Sequence, residues 1–445
     1  MAGAASRRVL VALVLLLGLA GAALAGGRYE GVASCAGSTC HGRAEGDGKP
    51  VRQDELRLWQ EPSSRGGAHS RAYAGLVSPR GQRIAAALGL GPAGSAGACL
   101  GCHATPAGPR GERFQVSDGV GCEGCHGPAS GWIANHRAMG ASHEGNIAGG
   151  MLRLDDPAVR AGVCLDCHLG SGNPGQFVTH AMMAAGHPRL SFELDLFSSL
   201  QQHWNVDTDY LARKPPSDGV RLWAVGQAEA VQRTLRLFGR NDLASNGIFP
   251  EFTFYDCHSC HRAIDDNPAR QRSFETNPGR PIEFGQPPFN DENLIMLSAV
   301  AQGQAPSQAA QFDAAVRSFH VAMGKGRAEA AAAATRLDAA AGKLSAAMAS
   351  GPGGADSAFR VIAAIGGKAI SPRFTDYAGS AQAVMAVDTL LNALVREGRV
   401  TVGAAAGIRA NIARAYGAVA SPTSYNPAQF RTALGQAVRS IDALR

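Results

Sequence analysis

Apolar residues recur at helical spacing mainly in the last third of the chain. Val384, Val387, Leu391, Leu394 and Val395 fall on one helical face, and Phe430, Leu434, Val438 and Ile441 form a second stripe. The pattern predicts helices over 308–323, 327–349, 377–397, 402–419 and 427–444, the last entered through Asn426-Pro427 with Gln429 at a capping-box-like spacing. Gly351-Pro352-Gly353-Gly354 separates two of these helices. His320 lies on the apolar face with Phe312, Val316 and Phe319 and reads as a packed helix residue. Such stripes are the core of a bundle, not a cofactor box.

Composition turns Ala-rich after 303–307, which marks a boundary. Between about 30 and 290, Gly, Pro and other loop signals interrupt every periodic run, so short helices and few strands are expected there. At the start, Arg7-Arg8, an apolar run over 9–19 and the small residues of Ala23-Leu24-Ala25 make the three-part pattern of a secretory leader. No later run reads as long enough to span a membrane. The expected organisation is a leader at 1–25, a domain at 26–300 and a C-terminal helical bundle at 301–445. The leader implies a periplasmic protein, touching the membrane only through its export signal.

The chain has 445 residues, of which 45% are hydrophobic and only 6% aromatic, with 42 Lys+Arg against 36 Asp+Glu. This excludes a wholly disordered chain, and the net charge is too small and dispersed for a nucleic-acid footprint. The 10 cysteines change the picture, because all lie between Cys35 and Cys260 in close pairs. An exported chain would normally use them as disulfides.

The pairs are Cys35-Ala-Gly-Ser-Thr-Cys40-His41, Cys99-Leu-Gly-Cys102-His103, Cys122-Glu-Gly-Cys125-His126, Cys164-Leu-Asp-Cys167-His168 and Cys257-His-Ser-Cys260-His261. Histidine accounts for only 13 residues, yet follows the second cysteine every time. Chance would produce this on the order of once in 10⁸, and Cys-x-x-Cys-His is the attachment signature of c-type haem. Two thiols across a short turn can each bond a vinyl group of one porphyrin, and the next residue then aims an imidazole at the iron. Zinc ribbons also use Cys-x-x-Cys but need no histidine after each pair. The wider first pair is a variant that also occurs in multihaem cytochromes. Five covalently bound haems c would consume all ten thiols, leaving no disulfide. Each haem adds two propionates and about one positive iron-porphyrin charge, so five contribute roughly −5 and bring the mature protein near neutral.

His41, His103, His126, His168 and His261 are thus the expected proximal ligands. The second axial position must come from the other histidines. His69 precedes helix-compatible residues at a distance that permits reaching another haem. His136 lies ten residues beyond His126 on a helix expected over 128–137, about 15 Å along the axis, and so suits a neighbouring haem. His180 and His187 are two helical turns apart, about 10.5 Å, with Gly186 and Pro188 suggesting a helix end at His187. His203 and His143 each could complete the set, and pattern alone does not choose. His258, inside its own attachment loop, is expected to be solvent-exposed.

Ala68-His69-Ser70-Arg71-Ala72-Tyr73, Gly119-Val120-Gly121-Cys122-Glu123-Gly124-Cys125-His126-Gly127-Pro128, Ala185-Gly186-His187-Pro188-Arg189-Leu190-Ser191-Phe192-Glu193-Leu194, His203-Trp204 and Trp223-Ala224-Val225-Gly226-Gln227 together resemble multihaem cytochromes related to the cytochrome c-554 family, in a five-haem version. The resemblance covers about residues 30–265. It implies His69, His136, His180, His187 and His203 as the distal set. His258 and Arg262 depart from the family pattern, which leaves the fifth haem environment the least defined.

The fold class expected is mainly α, a multihaem domain of little regular structure followed by the helical bundle. Haem faces would replace much of the side-chain core, and the haem-free chain should not fold. The leading expectation is electron transfer between redox partner proteins, because paired histidine ligands leave iron no open site. Two alternatives stand beside it. One five-coordinate haem, the first or fifth, could convert a small nitrogen or sulfur compound, or protomers could stack into a structural haem wire. A holoprotein that scatters light only as a monomer up to high concentration would exclude the wire.

Overall fold

The computed structural model describes residues 27–44, 53–214, 217–243, 250–262, 280–282, 286–351, 353–369 and 377–445. The expected leader at 1–25 lies outside the described residues. Among those described, helices make up the regular structure, with isolated bridges pairing Tyr29 with Arg110 and Tyr255 with Phe289 and no strand. The mainly-α class holds. The chain divides into two compact units, one of residues 1–78 and 100–154, the other of 79–99 and 155–445.

In the first unit the helices are one or two turns long, such as Glu55–Gln60, Ala72–Val77, Cys122–His126 and His143–Ala148. Its buried apolar residues are Val32, Trp59, Leu76, Ala104, Ala129 and Trp132. Buried hydrogen bonds do much of the joining. The Glu123 carboxylate, 4% exposed, accepts the backbone N–H of Glu30 at 2.8 Å, Gly31 at 2.7 Å and Ala129 at 2.7 Å. Such charge-assisted bonds are stronger than neutral ones. The Arg71 guanidinium bonds the carbonyls of Glu61 and Ser64, both at 2.9 Å. Gly119 has φ +72°, and a Cβ there would meet the His69 carbonyl oxygen at 2.5 Å, so both the turn and the close approach require glycine.

The second unit holds long helices around one apolar core. These are Gly219–Phe238, Glu292–Gln304, Pro306–Met323, Arg327–Ser350, Ala355–Ala369, Tyr377–Arg396, Val402–Ala418 and Pro427–Asp442. Trp223, Phe238, Phe312, Phe319, Phe359 and Phe430 lie fully inside it. The helix starts follow capping chemistry. Asp218 accepts the Arg221 N–H and Asn426 that of Gln429, each at 3.0 Å. Phe319 meets the rings of Phe238 and Phe289 edge-on, with centroids 5.5 and 5.0 Å away.

The five helices read from periodicity form within a few residues of their expected ends. Three long helices went unforeseen. Glu292–Gln304 is apolar on nearly every side because it runs through the core, so it lacks the one-sided period of a surface helix, whereas Gly219–Phe238 does pair a buried apolar face with the polar residues Arg221, Arg233 and Arg236. Ala355–Ala369 also joins this core, through Ala358, Phe359, Val361, Ile362 and Ile365. The helix expected over 128–137 is broken into a 3₁₀ turn at Ala129–Gly131 and a single turn at Ile133–His136. There the Gly149 carbonyl packs against Gly131, where a Cβ would lie 2.4 Å from it. His180 and His187 do not share two helical turns. The helix His180–Ala184 stops before Gly186, whose φ is +109°. One later helix, Tyr377–Arg396, is long and apolar enough to cross a membrane, contrary to expectation, and 78% of its apolar window is buried inside the unit.

Candidate haem-attachment sites

Each cysteine pair sits on a tight turn that ends in its histidine. In the fifth motif the His261 N–H donates to the Cys257 carbonyl at 2.8 Å, one helical turn back. The first motif carries two extra residues, yet its His41 N–H donates to the Cys35 carbonyl at 3.1 Å. The insertion is looped out while the same closing bond forms between histidine and first cysteine. This keeps the wider spacing compatible with the role of the others. The fourth motif ends the helix Pro157–His168, which Asp156 caps by accepting from Ala158 and Val159. The second lies on the helix Gly97–His103.

In the third, fourth and fifth motifs a residue between the cysteines bonds the scaffold. Glu123 of the third motif makes the three buried bonds described above. Asp166 of the fourth lies 2.5 Å from Nη1 of Arg233, which also donates to the Gly170 carbonyl at 3.0 Å. Leu165, beside it, is 1% exposed. His258 of the fifth donates from Nδ1 to the Pro422 carbonyl at 2.6 Å and lies edge-on to Tyr425. The expected solvent exposure of His258 is therefore not met, since the ring is part-buried and bonded.

Several motif and candidate histidines engage a partner through Nδ1. Nδ1 of His41 donates to Glu55 at 2.9 Å, that of His103 to the Ala72 carbonyl at 2.9 Å, and that of His187 to the Pro188 carbonyl at 2.8 Å. His203 Nδ1 lies 3.0 Å from the Gln201 amide, and His136 Nδ1 3.3 Å from that of Asn146. Such partners set ring orientation at metal sites. His320 is the opposite case: its Nε2 contacts Asp291 at 3.0 Å, and the residue is 4% exposed inside the core. It is a packed helix residue with its outer nitrogen taken. His143 begins the helix His143–Ala148, with Nδ1 4.0 Å from Glu144.

Two motif histidines face a second imidazole. The His41 and His136 ring centres are 6.0 Å apart with planes 12° from parallel, and those of His180 and His261 are 6.0 Å apart at 31°. Two imidazoles bound to one metal from opposite sides, with metal–nitrogen bonds of about 2 Å, hold their ring centres roughly 6 Å apart. The residues present thus fit an iron between paired histidines at both places. His168 is flanked by Phe192 at 5.6 Å and Phe197 at 4.9 Å. His69 offers its carbonyl to the Val120 N–H at 3.0 Å, which ties it to the start of the third motif. Among the described residues no group of three or more His, Cys, Asp or Glu converges as a metal-binding cluster.

Charge effects follow the same neighbours. Glu55 raises the proton affinity of His41 above the ordinary imidazole value, whereas burial, and then His41, lower that of His136. The Cys35 and Cys122 thiols hydrogen-bond each other, which raises the first and lowers the second, so the first and third attachment loops adjoin. Burial pushes the Cys125 thiol up to about 11.

Five cysteine pairs each followed by a histidine, two of those histidines facing a second imidazole, are the arrangement of c-type haem attachment. The family model described as cytochrome c554 and c-prime matches residues 34–127, so over that stretch the chain is similar to this family of c-type cytochromes. The matched stretch contains the first three motifs. No curated protein and no solved structure matches the chain.

Proposed function

We propose that the chain is a periplasmic electron carrier holding five covalently attached haems, each between its motif histidine and a second histidine from elsewhere in the chain. The observation that carries this reading is the fivefold recurrence of the cysteine pair followed by histidine, with an opposed imidazole 6.0 Å from His41 and from His261. In this reading the ten cysteines are the tethers. His41, His103, His126, His168 and His261 are the proximal ligands, and His69, His136, His180, His187 and His203 the distal ones.

Bound haem supplies reversible one-electron exchange at its iron. The chain supplies position and surroundings. The closing bonds from His41 and His261 to their first cysteines fix the attachment turns, and the Nδ1 partners hold the rings so that Nε2 can face the metal. Glu55 makes His41 a more electron-rich donor. Phe192 and Phe197 keep water from His168. Paired histidines would leave a bound haem iron no open site, so the haem would exchange electrons without binding substrate. The partners are redox proteins that deliver and remove electrons, and the leader read at 1–25 directs the chain across the inner membrane.

The test is mass spectrometry of the exported holoprotein together with low-temperature electron paramagnetic resonance of its oxidised form, with and without nitric oxide. The expected result is a mass with residues 1–25 removed and five haems added, and five low-spin signals that ignore nitric oxide. Fewer haems would overturn the five-haem reading. A high-spin signal of about one iron that responds to nitric oxide would replace the carrier by a catalyst with an open haem.

A further inference from the structure

The fifth attachment loop is tied to helices that carry no haem motif. Asp256, just before the motif and 3% exposed, uses one carboxylate oxygen to accept the Ser259 N–H at 3.2 Å inside the loop. Its other oxygen accepts the Ala378 N–H at 3.1 Å, in the first turn of the helix Tyr377–Arg396. From inside the motif, His258 reaches the Pro422 carbonyl at 2.6 Å, between the helices Val402–Ala418 and Pro427–Asp442. Its ring packs edge-on against Tyr425 at 5.0 Å, and the Tyr425 hydroxyl bonds Ser380 at 2.7 Å. Tyr425 and Ser380 are both buried, and Cys257 itself packs on the apolar core. One short loop is therefore held at two points, by the helix Tyr377–Arg396 and by the loop between the two helices that follow it.

We propose that the C-terminal helical bundle positions the fifth haem, with His258 and Asp256 as the positioning residues that fix its attachment loop. The inference rests on the five-haem reading and assigns the bundle a part in it. Cys257, Cys260 and His261 make every protein contact that the motif itself can offer a haem, so a shift of their backbone moves tether and ligand together. The two intervening side chains are free of that chemistry, and here one of them is used as the bundle contact. A loop so held keeps one imidazole orientation and one degree of solvent access, and both govern the potential of a ligated iron.

The experiment compares the wild-type holoprotein with His258→Ala, His258→Asn and His258→Gln. Haem content is counted by mass spectrometry, and the individual irons are followed by potentiometric titration with electron paramagnetic resonance. In His258→Ala one of five low-spin signals should change and one midpoint potential should shift, with the other four unaltered. Asn places its amide nitrogen near the position of Nδ1 and Gln does not, so Asn should restore the wild-type signal and Gln should not. Wild type with five haems and all variants identical to it would overturn the positioning role while leaving the carrier reading intact. A wild type lacking the fifth haem would overturn the carrier reading itself. Should His258→Ala fail to fold, the Asn and Gln pair decides alone, and equal signals from those two would count against the proposal.

Discussion

In the unit that includes the long helices, apolar side chains meet one another. In the unit of residues 1–78 and 100–154 they meet far less often, and buried carboxylate, guanidinium and backbone groups hold the segments together. Phe319 touches Phe238 and Phe289 in a continuous core. Glu123 instead gathers three N–H groups from separate stretches of chain. The contrast follows from what each must bury. Long helices cover one another's apolar faces, whereas the short turns around the attachment motifs bury few apolar side chains of their own. On the five-haem proposal, cofactor binding energy would then be folding energy chiefly in that region.

The sharpest way to break this comparison is to prevent haem attachment. With all ten cysteines changed to serine, hydrogen exchange should show backbone protection lost in 27–44, 53–78 and 100–154 but retained in 292–350 and 377–442. Equal loss in both regions would show that the helices also depend on haem, as expected from sequence for the whole haem-free chain. Next in size, Phe319→Ala should lower the unfolding free energy of the helical core by about 3–5 kcal/mol, read from denaturant titration followed by far-ultraviolet circular dichroism. Glu123→Gln keeps the shape of the side chain but removes its charge and replaces one accepting oxygen by an NH2, so the three N–H groups are no longer all satisfied. A loss of about 2–3 kcal/mol is expected, seen as faster exchange at Glu30, Gly31 and Ala129 with the helical core unchanged.

The smallest effect concerns pH. Glu193 is 1% exposed beside Asp195, and burial first, then that neighbouring carboxylate, pushes its pKa up to about 8. The unfolded chain would release this proton near 4.5, so the folded state holds it over a window in which the unfolded state does not. Stability from this group is therefore complete below about 4.5 and declines as pH rises through about 8. Thermal midpoints measured across that range should fall, and Glu193→Gln, which cannot ionise, should flatten the slope.

Legibility in sequence tracked the distance over which each feature is decided. The attachment motifs span five to seven residues, and the chemistry they carry is set by neighbours along the chain. Most helices from 306 to 442 were visible through a one-sided period, as at Val384, Val387 and Leu391, although Ala355–Ala369 and Gly219–Phe238 went unforeseen despite theirs. Glu292–Gln304 was hidden because burial on all sides erases the period. The ring opposite His41 comes from His136 and that opposite His261 from His180, and no local pattern pairs residues so far apart. His258 misled for the same reason: its loop reads as exposed, while Pro422 and Tyr425 arrive from the far end of the chain.

The amino-acid sequence by itself determined the cysteine–histidine chemistry, the mainly helical class and the one-sided helices, because each depends on spacing within a few turns. Only the tertiary structure decided which histidines oppose one another, that Glu123, Asp166 and His258 bond the scaffold, and that the fifth loop is held by the bundle. Those features depend on side chains brought together across long stretches of chain, where packing and buried hydrogen bonds choose among partners that sequence spacing leaves equivalent.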